Sequence, residues 1–185
     1  MANKVKYGLK NVYYSVVTDT AGVISYATPV IIPGAVNIAL SAKGDKTEFY
    51  ADDIPYFVAN SNQGYDGSLE MALLPDAFKK DVLGEVADAS GALFEDADAL
   101  PKTIALMFEF TGDANAIRHL LYNVSVARPN IEGSTKGASI DVKTETLNIT
   151  ASPALDTGYV KARAEVANTS YATWFTTVYK FVPVI

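Results

Sequence analysis

Two neighbouring runs constrain this chain more than anything else in it. In "TIALMFEFTG", Ile104, Leu106, Phe108 and Phe110 fall at every second position; in "HLLYNVSVARP", Leu120, Tyr122, Val124 and Val126 do the same. A period of two belongs to a β-strand, whose successive side chains leave opposite faces. The pattern recurs along the chain. Val12 to Val17 is β-branched and aromatic, "TDTAG" has turn chemistry, and Val23 to Tyr26 resumes the strand. Val36, Ile38 and Leu40 alternate with Asn37, Ala39 and Ser41, and are expected to pair with a strand carrying Leu69, Met71 and Leu73. In "IDVKTETLNITASP" the apolar parity shifts from Ile140 and Val142 to Leu147 and Ile149, which predicts a bulge near Thr144 or burial on both faces.

One stretch breaks the pattern. "DAFKKDVLG" reads as a short helix, N-capped by Asp76 and ended by Gly84, with Phe78, Val82 and Leu83 on one face. Two turns are unstable alone, so this helix must lie on a sheet. Many strands and one helix predict a mainly β chain, a β-sandwich or partial barrel with one short flanking α-helix. The length of 185 residues suits a single domain over residues 1–185, with an N-terminal arm over about 1–10 and a C-terminal arm over about 171–185.

Charge narrows the function classes. The net charge is −6, and it is local: Asp81, Glu85, Asp88, Glu95, Asp96 and Asp98 fall between residues 81 and 101 with no Lys or Arg among them. The 15 remaining acids balance the 15 bases. No clustered basic surface is legible, which argues against a protein that clamps nucleic acid through its phosphates. With no cysteine, disulfides and thiolate metal sites are excluded. The opening "MANKVKYGLKNVYY" lacks the apolar core of a signal peptide, and no apolar run reaches membrane-spanning length, so a soluble chain is expected.

Catalytic patterns do not gather. His119 is the single histidine; Ser125 and Asp113 are conceivable partners, yet it starts a strand and no G-x-S-x-G elbow is present. The acids from Asp88 to Asp98 miss the spacing of a calcium loop, and "GSTKGAS" misses the phosphate-loop frame. No enzyme, metal or cofactor is expected. The unusual segment lies elsewhere. From about 43 to 64 the chain is too long for an ordinary hairpin connection and holds Phe49, Tyr50, Tyr56 and Phe57, with Asp52 and Asp53 between them. Exposed apolar surface of this kind marks contact with other chains.

Taken in order, "GVISYATPVIIPGAV", "EFYADDIPYFVANSNQGYDGSLEMALLPDAFKKDVLG", "KTETLNITASP" and "WFTTVY" resemble the phi13-type major tail proteins of long-tailed bacteriophages. The resemblance implies a tail tube fold with a long inter-strand loop. It implies hexameric rings stacked around a tape measure protein, closed by terminator and tip proteins. Double-stranded DNA would be weak, transient cargo, no membrane would be involved, and the subunit would assemble in the bacterial cytoplasm as part of a virion. Phe49, Tyr50, Asp52, Asp53, Tyr56 and Phe57 would then form an inter-ring interface. Asn37, Ala39, Ser41, Ser68 and Glu70 would line the channel while Val36, Ile38, Leu40, Leu69, Met71 and Leu73 face the core. The six acids from Asp81 to Asp98 would lie outside the channel, because they follow a helix placed on the outer face. A monomeric β-sandwich binding module for a sugar or protein ligand, from a phage adhesion device, uses the same strands but does not need the 43–64 segment.

Overall fold

The computed structural model describes residues 5–113, 115–137 and 141–183. The expected mainly β class is what it holds, with a large antiparallel sheet, one short helix and no closed barrel. The chain runs through β1 (Leu9–Thr20), β2 (Val23–Tyr26), β3 (Val30–Ile32), β4 (Ala35–Lys43), β5 (Lys46–Ala51), β6 (Ile54–Asn60) and β7 (Gly64–Met71). Helix α1 (Asp76–Phe78) continues as a wider π-helical turn, Lys79–Leu83. There follow β8 (Val86–Ala87), β9 (Leu93–Phe94), β10 (Ile104–Phe110), β11 (Arg118–Val126), β12 (Glu145–Ser152) and β13 (Lys161–Ala164).

The main sheet has the order β2-β1-β10-β11-β12-β7-β4, with β3 beside β1 and β13 beside β11. The first hairpin forms as its sequence predicts. Thr20 pairs with Val23 across Ala21 and Gly22, both at positive φ (53° and 84°), the two-residue turn whose twist suits adjoining strands. The pairing of β4 with β7 also holds, with Ile38 opposite Leu69 and Ala39 opposite Ser68.

Strand β10 sits between two apolar layers. Ile104, Leu106 and Phe108 join the main core with Val12, Tyr14, Leu69, Met71, Leu147 and Ile149. Ala105 and Met107 face a second cluster built on Leu120, Tyr122 and Trp174. Trp174 is 1% exposed and Phe175 stacks on Tyr13 at 4.8 Å. The segment expected as a C-terminal arm therefore packs on the sheet from Tyr171 to Val178. At the other end, Gly112 and Thr111 donate backbone hydrogen bonds to Tyr7 and Gly8, which ties down the segment preceding β1.

Several expectations are corrected. Leu120, Tyr122, Val124 and Val126 do not share a face. The β10–β11 register shifts between Ile104 and Leu106, and this irregularity sends Leu120 and Tyr122 to the second cluster and Leu121, Val124 and Val126 to the main core. A second shift between Ala35 and Asn37 turns Val36 outward, to 48% exposed. Leu73 is exposed because β7 ends at Met71, and Leu74 takes its place inside. No bulge is needed at Thr144, since β12 begins at Glu145; Ile140 lies outside the described residues. The segment expected as a long loop is a β-hairpin, β5–β6.

The helix lies where the core needs a lid. Phe78, Val82 and Leu83 are buried in the main cluster, and Phe78 meets Tyr14 edge-on at 5.1 Å. Asp76 does not cap it: Pro75 holds the N-cap position and no side chain bonds there, whereas Gly84 ends the helix in the left-handed region as expected (φ 82°). A strand passes directly into a helix because the core left open at the end of β7 is closed by those three side chains.

Candidate assembly surfaces

Three surfaces hold the residues singled out in the sequence. The first is the β5–β6 ribbon. It continues β4 and β7 past their ends, held at its root by Gln63 N–H donating to the Lys43 carbonyl and Ser61 N–H to that of Asp45, both at 2.9 Å. Gly44 permits this approach, since a β-carbon there would meet the Ser61 carbonyl oxygen at 2.0 Å. Beyond the root, β5 and β6 pair with each other and with no other described strand. Phe49 lies opposite Phe57. Phe49, Tyr50, Ile54, Tyr56 and Phe57 are all exposed, Tyr56 to 73%. An isolated two-stranded ribbon is marginal in water, and this one leaves its large side chains uncovered. Its one side-chain network is polar: Lys46 and the Tyr50 hydroxyl both donate to Glu48, holding that carboxyl below its usual range.

The tip of the ribbon is Asp52–Asp53, both in the left-handed region (φ 53° and 61°). Asn-Gly fits such a turn at lower cost. Here two carboxylates occupy it, and neither forms a hydrogen bond or ion pair among the described residues.

The second surface is the face of β4, β7 and β12 turned away from the core. Asn37 lies opposite Glu70 and Ala39 opposite Ser68; across β7, Glu70 faces Thr146, Ser68 faces Asn148 and Asp66 faces Thr150. All five candidate channel residues therefore share one face, while Leu69, Met71, Leu147 and Ile149 lie buried behind it. The face also includes Asp66, Thr146, Asn148 and Thr150, which were not singled out. Their signal was available in the alternation of Leu147, Ile149 and Ala151. Its two acids are bonded locally: Thr144 donates to Glu70 at 2.6 Å, and Thr150 donates to Asp66 at 2.8 Å and holds that carboxyl below its usual range. At its margin, Lys43 pairs with Asp66 at 3.3 Å. Strand β4 ends the sheet, and its outer edge has no partner among the described strands.

The third is the acidic segment. Asp81 accepts a hydrogen bond from the buried Tyr14 hydroxyl at 2.9 Å. Burial, reinforced by that carboxylate, pushes the Tyr14 phenol well up. Asp88 accepts from Ser90 N–H, Ser90 hydroxyl and Ala92 N–H, closing the β8–β9 turn. Glu95 pairs with Arg128 at 2.6 Å, and Asp96 accepts from Asp98 N–H. Glu85 is half-buried, and Asp98 is exposed. None of the six shares a bond with the β4–β7–β12 face among the described residues.

His119 is not joined by the two partners the sequence offered it. Ser125 donates to the Thr150 carbonyl, and neither Ser125 nor Asp113 is hydrogen-bonded to the imidazole. The ring stacks on Phe108 at 5.1 Å, and burial first, then Lys6, lowers its pKa to about 4. The chain also holds a partly buried ion pair that its sequence did not signal: Arg118 donates to Glu109 at 3.0 Å, and its guanidinium lies 3.8 Å from the Tyr171 ring centroid. No described helix is long and apolar enough to cross a membrane.

The chain matches no family model and no curated protein. Among solved structures it is similar to the anti-feeding prophage cap, a tube terminating cap. The identity is 11% over 90% of this chain and 95% of that one, with a TM-score of 0.44. Similarity that loose transmits neither topology nor role.

Proposed function

We propose that this chain is a structural subunit that assembles with copies of itself into stacked rings, forming the tube of a phage tail. The observation that carries this reading is the β5–β6 ribbon, which projects uncovered aromatic side chains from the end of the edge strand β4, whose outer side has no partner among the described strands. A long exposed edge and a bare apolar ribbon are aggregation hazards for a monomer, and both are removed when copies close on one another. Six copies per ring, a tape measure protein inside, and terminator and tip proteins at the ends follow from the resemblance to phi13-type major tail proteins. The role is conduction and not catalysis.

In this reading the β4–β7–β12 face is the channel wall. It presents small, mostly uncharged side chains and two carboxylates, repeated around the ring. Such a wall makes few phosphate contacts, so DNA slides instead of binding. The acidic segment lies on the outside, with the helix that precedes it. Negative-stain microscopy of the purified protein tests the reading: rings and tubes are expected. Isolated particles at high concentration would overturn it in favour of a monomeric binding module.

A further inference from the structure

The sheet forks at β11. Its second half carries β12, and through it β7 and β4, while its first half carries β13. Where the two branches part, a cleft of about 250 Å³ opens. Phe108, Phe110 and Leu121 line it from the core, and Ile38 and Leu40 reach it from β4. Lys161 spans the fork, donating to the Tyr65 hydroxyl across from β13 to β7.

The rim is cationic. Lys6 and Lys161 line the cleft, and both act on the His119 imidazole together with Arg163. None of these three cations pairs with a carboxylate among the described residues. His119 Nε2 is buried beside them without a hydrogen-bond partner. Asp113 is the acid that acts on it. An apolar floor beneath unpaired cations fits an apolar segment that carries carboxylates.

We propose that this cleft receives the Asp52–Asp53 tip of the β5–β6 ribbon from a neighbouring copy. This rests on the self-assembly reading above and names the receiving site for the ribbon. Complementarity selects the occupant. The tip offers two carboxylates without partners, flanked by exposed Tyr50, Ile54 and Tyr56. The other acidic stretch is a poorer fit: Asp81, Asp88, Glu95 and Asp96 are already bonded within their own subunit, and Glu85 and Asp98 stand thirteen positions apart instead of adjacent at one tip. Placing two carboxylates in a left-handed turn, where Asn-Gly fits more easily, makes sense if their charge is read by a partner. The cleft and the tip are different surfaces, so the contact is head-to-tail and propagates without two-fold closure.

The absence of cysteine gives a direct test. Ile54→Cys at the tip and Leu40→Cys in the cleft lining leave every charge in place. In assembled protein under oxidising conditions, a disulfide between them should link neighbouring copies into a ladder of covalent multimers. Tubes that form without this cross-link would overturn the contact and leave the tube reading standing; no assembly at all would remove both. A cross-link from Leu40→Cys to Phe94→Cys instead would assign the cleft to the acidic segment and refute the proposal. Charge exchange is an independent readout. Asp52→Lys with Asp53→Lys, or Lys161→Asp with Arg163→Asp, should each raise the protein concentration needed for assembly about tenfold or more, with circular dichroism unchanged. All four together should restore assembly, and failure to recover would count against the contact.

Discussion

Strand β10 and the β5–β6 ribbon are built from similar apolar and aromatic residues, yet they meet opposite surroundings. "IALMFEF" is buried on both faces, between the main core and the Trp174 layer. "FYADDIPYF" is covered on neither. Burial on both faces makes β10 a source of stability for the subunit alone. The ribbon contributes little to that stability, and its large side chains stay exposed, as the proposed contact with another copy requires. If the ribbon is an assembly surface, the residues that fold the subunit are separate from those that join it, and mutations in the two regions should have separable effects.

The largest separation comes from deleting Thr47 to Asn60. The subunit should stay folded with nearly unchanged thermal unfolding, while tubes disappear from micrographs. Normal polymerisation of the deletion variant would remove the ribbon from the interface. Point substitutions sharpen the contrast. Trp174→Ala should lower unfolding free energy by about 3–5 kcal/mol in denaturant titrations, because a large side chain is lost from a packed site. Tyr56→Ala should change subunit stability by no more than about 0.5 kcal/mol, yet weaken assembly by about 2 kcal/mol if it anchors the contact.

This contrast was partly legible in the sequence. The period of two found the main strands, and the pairing of β4 with β7 followed from it. The register irregularities were not legible, because one extra residue in a strand changes which face is buried without changing composition; this misplaced Val36, Leu120 and Tyr122. The length and aromatic content of residues 43–64 marked a segment whose aromatics are exposed, but Asp52–Asp53 disguised a hairpin, since a left-handed turn is seldom built from two Asp residues. The burial of Trp174 and the Glu109–Arg118 pair depend on contacts between residues far apart in sequence, beyond the reach of periodicity. The cleft at the fork is invisible to sequence for the same reason.

A smaller effect concerns the wall. Glu70→Lys should allow tubes to form but increase DNA retention at low ionic strength, with a steeper salt dependence in a gel-shift assay. Tight, salt-resistant DNA binding by the unaltered protein would contradict the wall assignment. The smallest effect lies in the fold itself. His119 is held near pKa 4, below its ordinary value of about 6.5, chiefly by burial, with Lys6, Lys161 and Arg163 adding to the shift and Asp113 opposing it. Between those values the unfolded chain binds the proton and the folded chain does not. Its contribution to stability is therefore full above pH 6.5 and lost as pH falls toward 4, at no more than about 1.4 kcal/mol per pH unit. Replacing His119 with Gln should flatten the pH dependence of thermal unfolding in that window.

The most direct measurement is a cryo-electron microscopy reconstruction of the assembled protein. The account predicts that Phe49, Tyr50, Tyr56 and Phe57 lie buried against another copy while Asn37, Ala39, Ser41, Ser68 and Glu70 face the lumen. A tube in which the β5–β6 ribbon projects into solvent, or in which the acidic segment from Asp81 to Asp98 lines the channel, would contradict it.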